Sequence, residues 1–403
     1  MKKSLIALAV LGAIAGAAQA QTSVTIYGIV DTGLTYQNKV ATATTNGVAS
    51  SSGSKFAVNS GVIQGSRLGF KGVEDLGGGL KALFQLEAGF SNDTGGLQSD
   101  TGTSTLFRRK SVVGLGGDFG SVLLGRQTDI LDDVSQWTSV QDFGGVTGNV
   151  GHNLDRLEGT RTNNSIRYNT PDLSGFSGSL IYGFGETAGQ TSSGQSFGLG
   201  GQYANGPLGL FAAYYQSKLG KTPSDVSLIN GAPVPGTGTN TFSGNPGDTA
   251  LKTFSLGASY QAGPARLYGN WSRVKQPLAT SSGFVPGVST SLPTNSFGIG
   301  SFNNSKADIF ELGVNYAVTA PLHLLASVQY SKLTFVDPNS PTGKLTQANL
   351  GTDYFLSKRT DLYAFVSFLK AKDAINPGVL GSNNSTGDAN NQTAVAVGIR
   401  HKF

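Results

Sequence analysis

The chain of 403 residues has no cysteine, three histidines and two tryptophans. Without cysteine it can form no disulfide scaffold, thiolate zinc site or cysteine-ligated iron–sulfur cluster. The histidines, His152, His323 and His401, leave little material for metal binding or acid–base catalysis. The formal net charge is only +5. Such a small and dispersed surplus does not favour nucleic-acid binding.

Charged residues make up 13% of the chain, about half the usual quarter. Disorder is not expected, because 22 phenylalanines and 13 tyrosines provide more aromatic surface than disordered segments carry. Glycine is abundant, with 58 residues. A long chain with few charges and many glycines and aromatics indicates an unusual solvent or an unusual architecture.

The first twenty residues have the layout of a secretory signal. The basic Met1-Lys2-Lys3 is followed by an apolar stretch and by Ala18-Gln19-Ala20, which fits the A-x-A cleavage rule. We therefore predict a signal peptide over 1–20, cleavage between Ala20 and Gln21, and one mature domain over 21–403. No later stretch approaches 18 consecutive apolar residues, so no membrane helix is expected.

Alternation with a period of two runs through the mature chain. Phe254, Leu256, Ala258 and Tyr260 alternate with polar or small residues, and the same pattern recurs over 310–316 and 322–331. Successive side chains of a strand point to opposite faces, so these segments are predicted strands with one apolar and one wet face. Their length of roughly 9–11 residues is what a tilted strand needs to cross the hydrocarbon of a membrane.

The connections between these strands sort into two kinds. Seven short ones contain residues 74–77, 117–120, 171–174, 205–207, 263–264, 319–321 and 357–360. They alternate with eight long polar ones, around 37–63, 91–105, 128–160, 185–195, 218–251, 274–306, 333–345 and 371–392. Fifteen connections imply sixteen strands. The pattern predicts an all-β, closed, antiparallel transmembrane barrel with short periplasmic turns and long extracellular loops.

Sixteen strands leave an aqueous channel rather than a filled core. Charged residues of the wet parity should therefore face the lumen, since a charge on the lipid face costs about 2–4 kcal/mol at mid-bilayer. This reasoning places Arg67 and Lys71 inside, on the face opposite Leu68 and Phe70, and it places Glu87 inside as well. A solvated position at the rim is the alternative for each charge.

Four stretches resemble the Gram-negative general-diffusion porins, in particular the β-proteobacterial type. They are Val24–Asp31, Ser66–Gly77, Val112–Leu115 with Leu124–Gln127, and the ending Val397–Phe403. The resemblance spans the mature chain in order, although the long loops match only in character. It implies an outer-membrane homotrimer that passes small hydrophilic solutes and ions without a cofactor or metal, and a third loop over 128–160 that folds into the barrel and narrows it. It also implies contact with outer-membrane lipids and lipopolysaccharide, and with the barrel-assembly machinery, for which Phe403 resembles the terminal signal.

The resemblance extends to a constriction formed by an acidic loop and an arginine ladder. Asp142 in Asp142-Phe143-Gly144-Gly145 matches the loop-tip motif, and Arg67, Arg109 and Arg161 match ladder positions by their motifs. Lys71, Glu87 and Arg126 complete the candidate set, whereas Arg108 and Lys110 are expected off the ladder. Two family positions differ, because Thr138 stands where a second loop carboxylate is common and Ile29 stands where a lysine is common.

Five candidate cations against two candidate anions predict a mild anion preference. The expected function is general diffusion, and the alternative is a substrate-specific channel for sugars or phosphate. Trp137 and Trp271 form no evident aromatic track of the kind sugar channels carry. A barrel enzyme is disfavoured, because no histidine lies in a recognisable nucleophile or general-base pattern.

Overall fold

The structure is a computed structural model. It describes residues 23–45, 48–98, 105–133, 137–147, 161–186, 188–189, 191–192, 194–218, 250–275, 304–335, 341–374, 376, 378–380 and 390–403. The predicted signal peptide with its cleavage site at Ala20 and Gln21, and His152, lie outside these residues.

Seventeen strand segments run through the described residues. They are β1 (Ser23–Thr45), β2 (Val48–Ser60), β3 (Arg67–Gly77), β4 (Leu80–Gly89), β5 (Lys110–Gly117), β6 (Gly120–Thr128), β7 (Arg161–Asn169), β8 (Phe176–Gly183), β9 (Ser196–Asn205), β10 (Leu208–Lys218), β11 (Ala250–Ala262), β12 (Ala265–Lys275), β13 (Asn304–Ala317), β14 (Leu322–Phe335), β15 (Gly343–Phe355), β16 (Thr360–Lys372) and β17 (Asn391–Lys402).

These seventeen segments make up the sixteen strands of one closed antiparallel barrel, as the sequence predicts. β2 pairs with Thr32–Thr45 of β1, and β3 pairs with Ser23–Ile29 along the same edge. β2 and β3 therefore count as one interrupted strand of the barrel. From β3 onward each strand pairs with the next one in sequence, and β17 returns to the free edge of β1. Closure satisfies the backbone hydrogen bonds of both terminal strands.

Burial along the strands is the reverse of that in a soluble protein. Leu312 is 72% exposed, whereas Glu311, its neighbour in β13, is 2% exposed. The same inversion holds in β14, where Gln329 and Ser331 are buried and Val328 is exposed. The apolar parity therefore faces outward and the polar parity faces the lumen, as the alternation predicts.

The seven short connections lie where the sequence places them, except that the first tight turn is at Gly78-Gly79, after the end of β3. The first long connection differs from the prediction. Residues 37–63 are predicted as a polar loop, but β1 and β2 remain paired as far as Thr45 and Val48. The hairpin is rich in threonine, alanine and serine, a composition that is compatible with an extended ladder beyond the apolar band. The break in pairing comes later, over residues 61–66.

Two short helices lie in the third long connection, α1 (Ile130–Asp133) and α2 (Ser139–Thr147). Ile130, Leu131 and Phe143 are fully buried although they belong to a loop segment. This burial shows that the described part of the third connection folds into the barrel, as the resemblance implies. In the described part of the chain, no helix has the length and apolar character required to span a membrane.

The C-terminal residue seals the barrel seam. The backbone N–H of Phe403 donates to the carbonyl oxygen of Gly28 at 3.1 Å, and the N–H of Gly28 donates to the carbonyl oxygen of Phe403 at 3.1 Å. The Phe403 ring lies against Gly28, where a Cβ atom would collide with it. Glycine at this position of β1 is what permits the ring to cover the seam.

Candidate channel constriction

Three neighbouring segments bring two arginines onto one carboxylate in the lumen. Arg109 donates from Nε to Oε1 of Glu87 at 2.6 Å, and Nη1 of Arg67 lies 3.9 Å from the same oxygen. The Tyr27 hydroxyl donates to Oε2 of Glu87 at 3.0 Å. Register explains the meeting, because Tyr27, Gly69 and Glu87 lie directly opposite one another across β1, β3 and β4. Glu87 therefore acts as the counter-ion between Arg67 and Arg109.

Two lysines extend this charged wall. Lys110 lies directly opposite Glu87 in the pairing of β4 with β5, so it shares the lumenal face rather than lying off the ladder as expected. Lys71 lies four residues further along β3 towards the short turns, with Nζ 5.6 Å from the centre of the Tyr27 ring. We call Arg67, Lys71, Arg109 and Lys110, with Glu87, the cationic wall.

The third loop brings two carboxylates of α1, Asp132 and Asp133, close to these cations. Asp132 of α1 is near enough to Arg67 and Lys110 to interact electrostatically with both. Asp133 binds the guanidinium of Arg167, which also donates from Nη1 to the carbonyl oxygen of Thr128 at 3.2 Å. Arg167 thus fixes the start of the third loop to β7. Sequence reasoning did not single out Arg167, although its alternation with the exposed Ile166 marks it as lumenal.

A cavity lies behind α1, between this helix and the strands β7 to β9. Its volume is about 340 Å³, and its polar lining includes Asp133, Arg167, Asn169 and Gln202. Gly200 forms part of the floor, where a Cβ atom would collide with Ile130. The Arg167–Asp133 ion pair therefore both anchors the loop and borders this space.

The tip of the third loop packs against the opposite wall. Asp142 accepts from Asn315 Nδ2 at 2.9 Å and from Arg266 Nη2 at 3.4 Å, and it is 6% exposed. Burial raises the pKa of this carboxyl, although the Arg266 guanidinium opposes the shift. The expectation that Asp142 faces the arginine ladder is therefore wrong. The helix turns its carboxylate towards β12 and β13, where Arg266 and Asn315 compensate the charge.

Hydrogen bonds at Ser139, the first residue of α2, strengthen this attachment. The N–H of Ser139 donates to Glu311 of β13, and Gln329 Nε2 donates both to the Ser139 hydroxyl and, at 3.3 Å, to Glu311. Arg266 and Glu311 were missed at the sequence level. Their parity is the signal that could have found them, since Arg266 alternates with Leu267 and Glu311 with Leu312.

An aromatic contact completes the attachment of the tip. Phe143 is fully buried and packs edge-on against Phe365 of β16, with ring centres 6.0 Å apart. Gly144 has a φ of 78° and lies so close to the backbone of Ile63 that a Cβ atom would collide with the Ile63 carbonyl. Ile63 belongs to the break between β2 and β3, which therefore bulges into the lumen to meet the loop.

Asp31 holds this bulge in place. Its Oδ2 accepts from the backbone N–H groups of Ile63 at 2.9 Å and Gln64 at 2.6 Å, and its Oδ1 accepts from the Tyr363 hydroxyl at 2.6 Å. Asp31 is fully buried. The described part of the third loop consequently follows the lumenal wall from β7 to β16.

Comparison with known proteins identifies the family. The family model described as Gram-negative porin matches residues 7–374 of the chain. The chain belongs to the Gram-negative porin family. Outer membrane porin protein 32 of Delftia acidovorans is 34% identical over 419 residues, and an outer membrane porin protein of Bordetella pertussis is 32% identical over 429 residues; both alignments cover 100% of each chain. The protein is therefore a porin of the outer membrane.

A solved structure supports the same assignment. The anion-selective porin from Comamonas acidovorans superimposes with a TM-score of 0.69 at 28% identity, covering 95% of this chain and 100% of that one. The agreement covers the barrel as a whole. It confirms the predicted fold class, and the outer-membrane relatives confirm the predicted location.

Two predicted constriction residues lie apart from the cationic wall of this porin. Arg126 binds Asn163 and donates from Nε to the carbonyl oxygen of Arg108 at 2.5 Å. It has the parity of the exposed Leu124, and a register shift lies between Gly125 and Gln127, so alternation alone does not place it in the lumen.

Arg161 is the first residue of β7, directly opposite Thr128 at the long-loop end. Its neighbour Thr162 is buried and hydrogen-bonded to the Tyr215 hydroxyl at 3.0 Å. Arg167, six residues further along β7, binds Asp133 of α1.

His323 and His401 have ordinary structural partners in the porin. His323 Nδ1 lies 2.8 Å from Asn315 Oδ1, and His401 Nδ1 lies 2.9 Å from the Thr360 hydroxyl. Among the described residues, no group of histidine, aspartate or glutamate side chains is arranged to hold a metal ion.

Proposed function

We propose that the porin conducts small hydrophilic solutes and ions by passive diffusion, with a mild preference for anions, and that it has no catalytic role. The cationic wall is the observation that carries this proposal. Together with Arg167 it contributes five cations, against the four carboxylates Glu87, Asp129, Asp132 and Asp133 among the described residues of that side. The resulting positive surplus raises the local concentration of anions in the lumen.

The mechanism needs no covalent chemistry. Asp132 of α1 lies within electrostatic reach of Arg67 and Lys110, so a transverse field acts on water and on dipolar solutes. An apolar solute would have to displace oriented water without replacing its hydrogen bonds, and it is therefore disfavoured. A hydrophilic solute can exchange water for the guanidinium and carboxylate groups that line the path.

Reversal potentials in a salt gradient across a planar bilayer test this proposal. The wild-type channel should give a potential of anion-selective sign. Replacing Arg67 and Arg109 together by serine should raise the conductance and shift the potential towards cations, because two fixed positive charges and their bulk leave the opening. Lys358→Gln with Arg359→Gln, which removes two charges from a short turn, is the matched control and should leave the potential unchanged. A cation-selective wild type would contradict the proposal.

Swelling of proteoliposomes in sugars of graded size separates general diffusion from a dedicated channel. A general-diffusion porin should show a rate that falls steadily with solute size. Saturation by one sugar, or by phosphate, would instead favour a substrate-specific channel.

We further propose that residues 1–20 direct export, that the mature chain assembles as a homotrimer, and that Phe403 serves as the assembly signal. The exposed position of the Phe403 ring at the seam with Gly28 supports the last point. Mass spectrometry of the mature N-terminus and light scattering of the detergent complex test the first two. Phe403→Ala should lower the yield of folded barrel if the assembly machinery reads this residue.

A further inference from the structure

The last strand of the barrel carries a cation on its lumenal face. Lys402 is the second-last residue of the chain and ends β17. It has the parity of Ala394 and Arg400, which are buried, and not that of Ile399, which is 47% exposed. Its side chain therefore projects into the lumen at the short-turn end of the barrel, where the residue is half-buried.

Strand register connects Lys402 to the cationic wall. Lys402 lies directly opposite Ile29 of β1, and Ile29 lies directly opposite Arg67 of β3. The three residues form one row across the seam, with the apolar Ile29 between two cations. Lys402 and Arg67 are two strand spacings apart, about 10 Å, and they are near enough to interact electrostatically. β17 thus supplies to this row a cation that β1 does not carry.

Lys402 has no direct counter-ion among the residues that the structure describes. It forms no ion pair and no side-chain hydrogen bond with them. Arg400, two residues earlier on the same face, binds Asp361 at 3.0 Å and Asp353 at 3.5 Å. Both carboxylates act on Lys402 only at longer range, and they are 2% and 8% exposed respectively. The part of this cluster that is open to the lumen is therefore cationic.

The position of Lys402 matters for an anion that moves between the cationic wall and the short-turn end. Conduction is fastest when several sites of moderate strength follow one another, so that an ion can both enter and leave. The separation of about 10 Å between Arg67 and Lys402 is close to the screening length at 0.1 M salt. The potentials of the two cations consequently overlap, and the positive path continues past Arg67 to the end of β17.

We propose that Lys402 is a specificity-determining residue of the channel, which extends the anion path from Arg67 across the barrel seam. The proposal deepens the proposed function and rests on it. A purely structural role, in which Lys402 only compensates Asp353 and Asp361 at long range, is the alternative. The two roles differ in their consequences, because the first affects ion selectivity and the second affects the stability of the barrel.

The absence of cysteine from the chain allows a direct test. Lys402→Cys introduces a single thiol, which is modified in the assembled channel by a methanethiosulfonate that carries either a trimethylammonium or a sulfonate group. The anion-to-cation permeability ratio of the unmodified variant should be roughly twofold below that of wild type, since a unit charge about 7 Å from the path changes local ion concentrations by about that factor. The cationic reagent should restore the ratio, and the anionic reagent should lower it further.

Modification after assembly separates the effect of the charge from any effect of the substitution on folding. Lys358→Cys, at an exposed position of the neighbouring short turn, is the matched control, and neither reagent should alter its permeability ratio. Lys402→Gln combined with Ile29→Lys moves the cation to the next strand of the same row and should recover the ratio lost in Lys402→Gln alone. These differences should shrink between 0.1 and 1 M salt, because the screening length falls from about 10 Å to about 3 Å.

Three results would overturn the proposal. The first is a permeability ratio that is the same for wild type, Lys402→Cys and both modified forms. The second is a thiol that neither reagent labels, as judged by mass spectrometry, because the side chain would then not face the aqueous lumen. The third is a Lys402→Gln channel that unfolds at a lower temperature but keeps the wild-type ratio, which would assign Lys402 to compensation of Asp353 and Asp361.

Failure of the proposed function is recognised separately. A wild-type channel of cation-selective sign would contradict the anion preference itself. The response to the two reagents is measured relative to wild type, so it reports on Lys402 whatever the sign of the wild-type potential.

Discussion

The two sides of the lumen use charged side chains in opposite ways. Along β3 to β5, Arg67, Arg109 and Lys110 surround Glu87 and leave a cationic surplus towards the opening. Along β12 to β16, hydrogen bonds of Asp142 with Arg266 and Asn315 attach the third loop, and apolar contacts of Phe143 fill the remaining space. The first side should therefore determine selectivity, and the second should determine how wide and how steady the opening is.

Removing the aromatic anchor should break this division most severely. Phe143→Ala removes a fully buried ring from its contact with Phe365 and should destabilise the attachment by about 3–5 kcal/mol. Single-channel recordings should then show a larger and noisier conductance with nearly unchanged selectivity. The exposed Phe119, replaced by alanine, is the control. A quiet channel of wild-type conductance in Phe143→Ala would show that the tip is held without the ring.

A change of one methyl group should test the same side more selectively. Gly144→Ala introduces a Cβ atom into the Ile63 backbone at a φ of 78°, a conformation that costs about 1–3 kcal/mol outside glycine. The single-channel current should be noisier than that of wild type, but less noisy than that of Phe143→Ala. Gly95→Ala is a close control, because Gly95 has a φ of 77° and a Cβ atom added there would meet nothing within 4 Å. Equal behaviour of the two variants would show that the contact with Ile63 is unimportant.

Glu87→Gln tests the cationic wall, the side of the lumen that should determine selectivity. The substitution keeps the shape of the side chain but removes the counter-ion between Arg67 and Arg109, so the cationic surplus grows by one charge. We expect a shift of the reversal potential towards stronger anion preference, with little change in current noise. Gln85→Glu, which adds a carboxylate beside Tyr27, should shift the potential the other way. A shift towards cations in Glu87→Gln would contradict the role given to the cationic wall.

The apolar–polar alternation along the strands, with the alternation of short and long connections, was sufficient to predict the sixteen strands and their lumenal face. Each strand meets water on one side and lipid on the other. Alternation placed Arg67 and Glu87 on the lumenal face, whereas Arg109 came from the family resemblance. The three side chains meet because their strands are neighbours. Alternation could not place Asp142, because the direction of a loop side chain depends on partners distant in sequence, here Arg266 and Asn315. Alternation also failed to predict the extended hairpin of β1 and β2. The residues of this hairpin are polar on both faces, because they pair beyond the apolar band of the barrel, and they therefore show no apolar–polar alternation.

The smallest effect is expected from the charge of Asp142 itself. Its pKa is raised above the ordinary value of 3.8, with burial as the main cause, so the folded channel binds this proton more readily than the unfolded chain does. The contribution of this carboxyl to stability is therefore complete below pH 3.8 and is lost as the pH rises through the raised pKa. Asp142→Asn, which can still accept from Asn315 and Arg266, should attach the loop at pH 7 at least as well as wild type. Comparison of current noise between about pH 4 and about pH 7 should show a smaller pH dependence in the variant. A noisier Asp142→Asn channel at neutral pH would show that the ionised carboxylate, rather than packing and neutral hydrogen bonds, holds this side of the lumen.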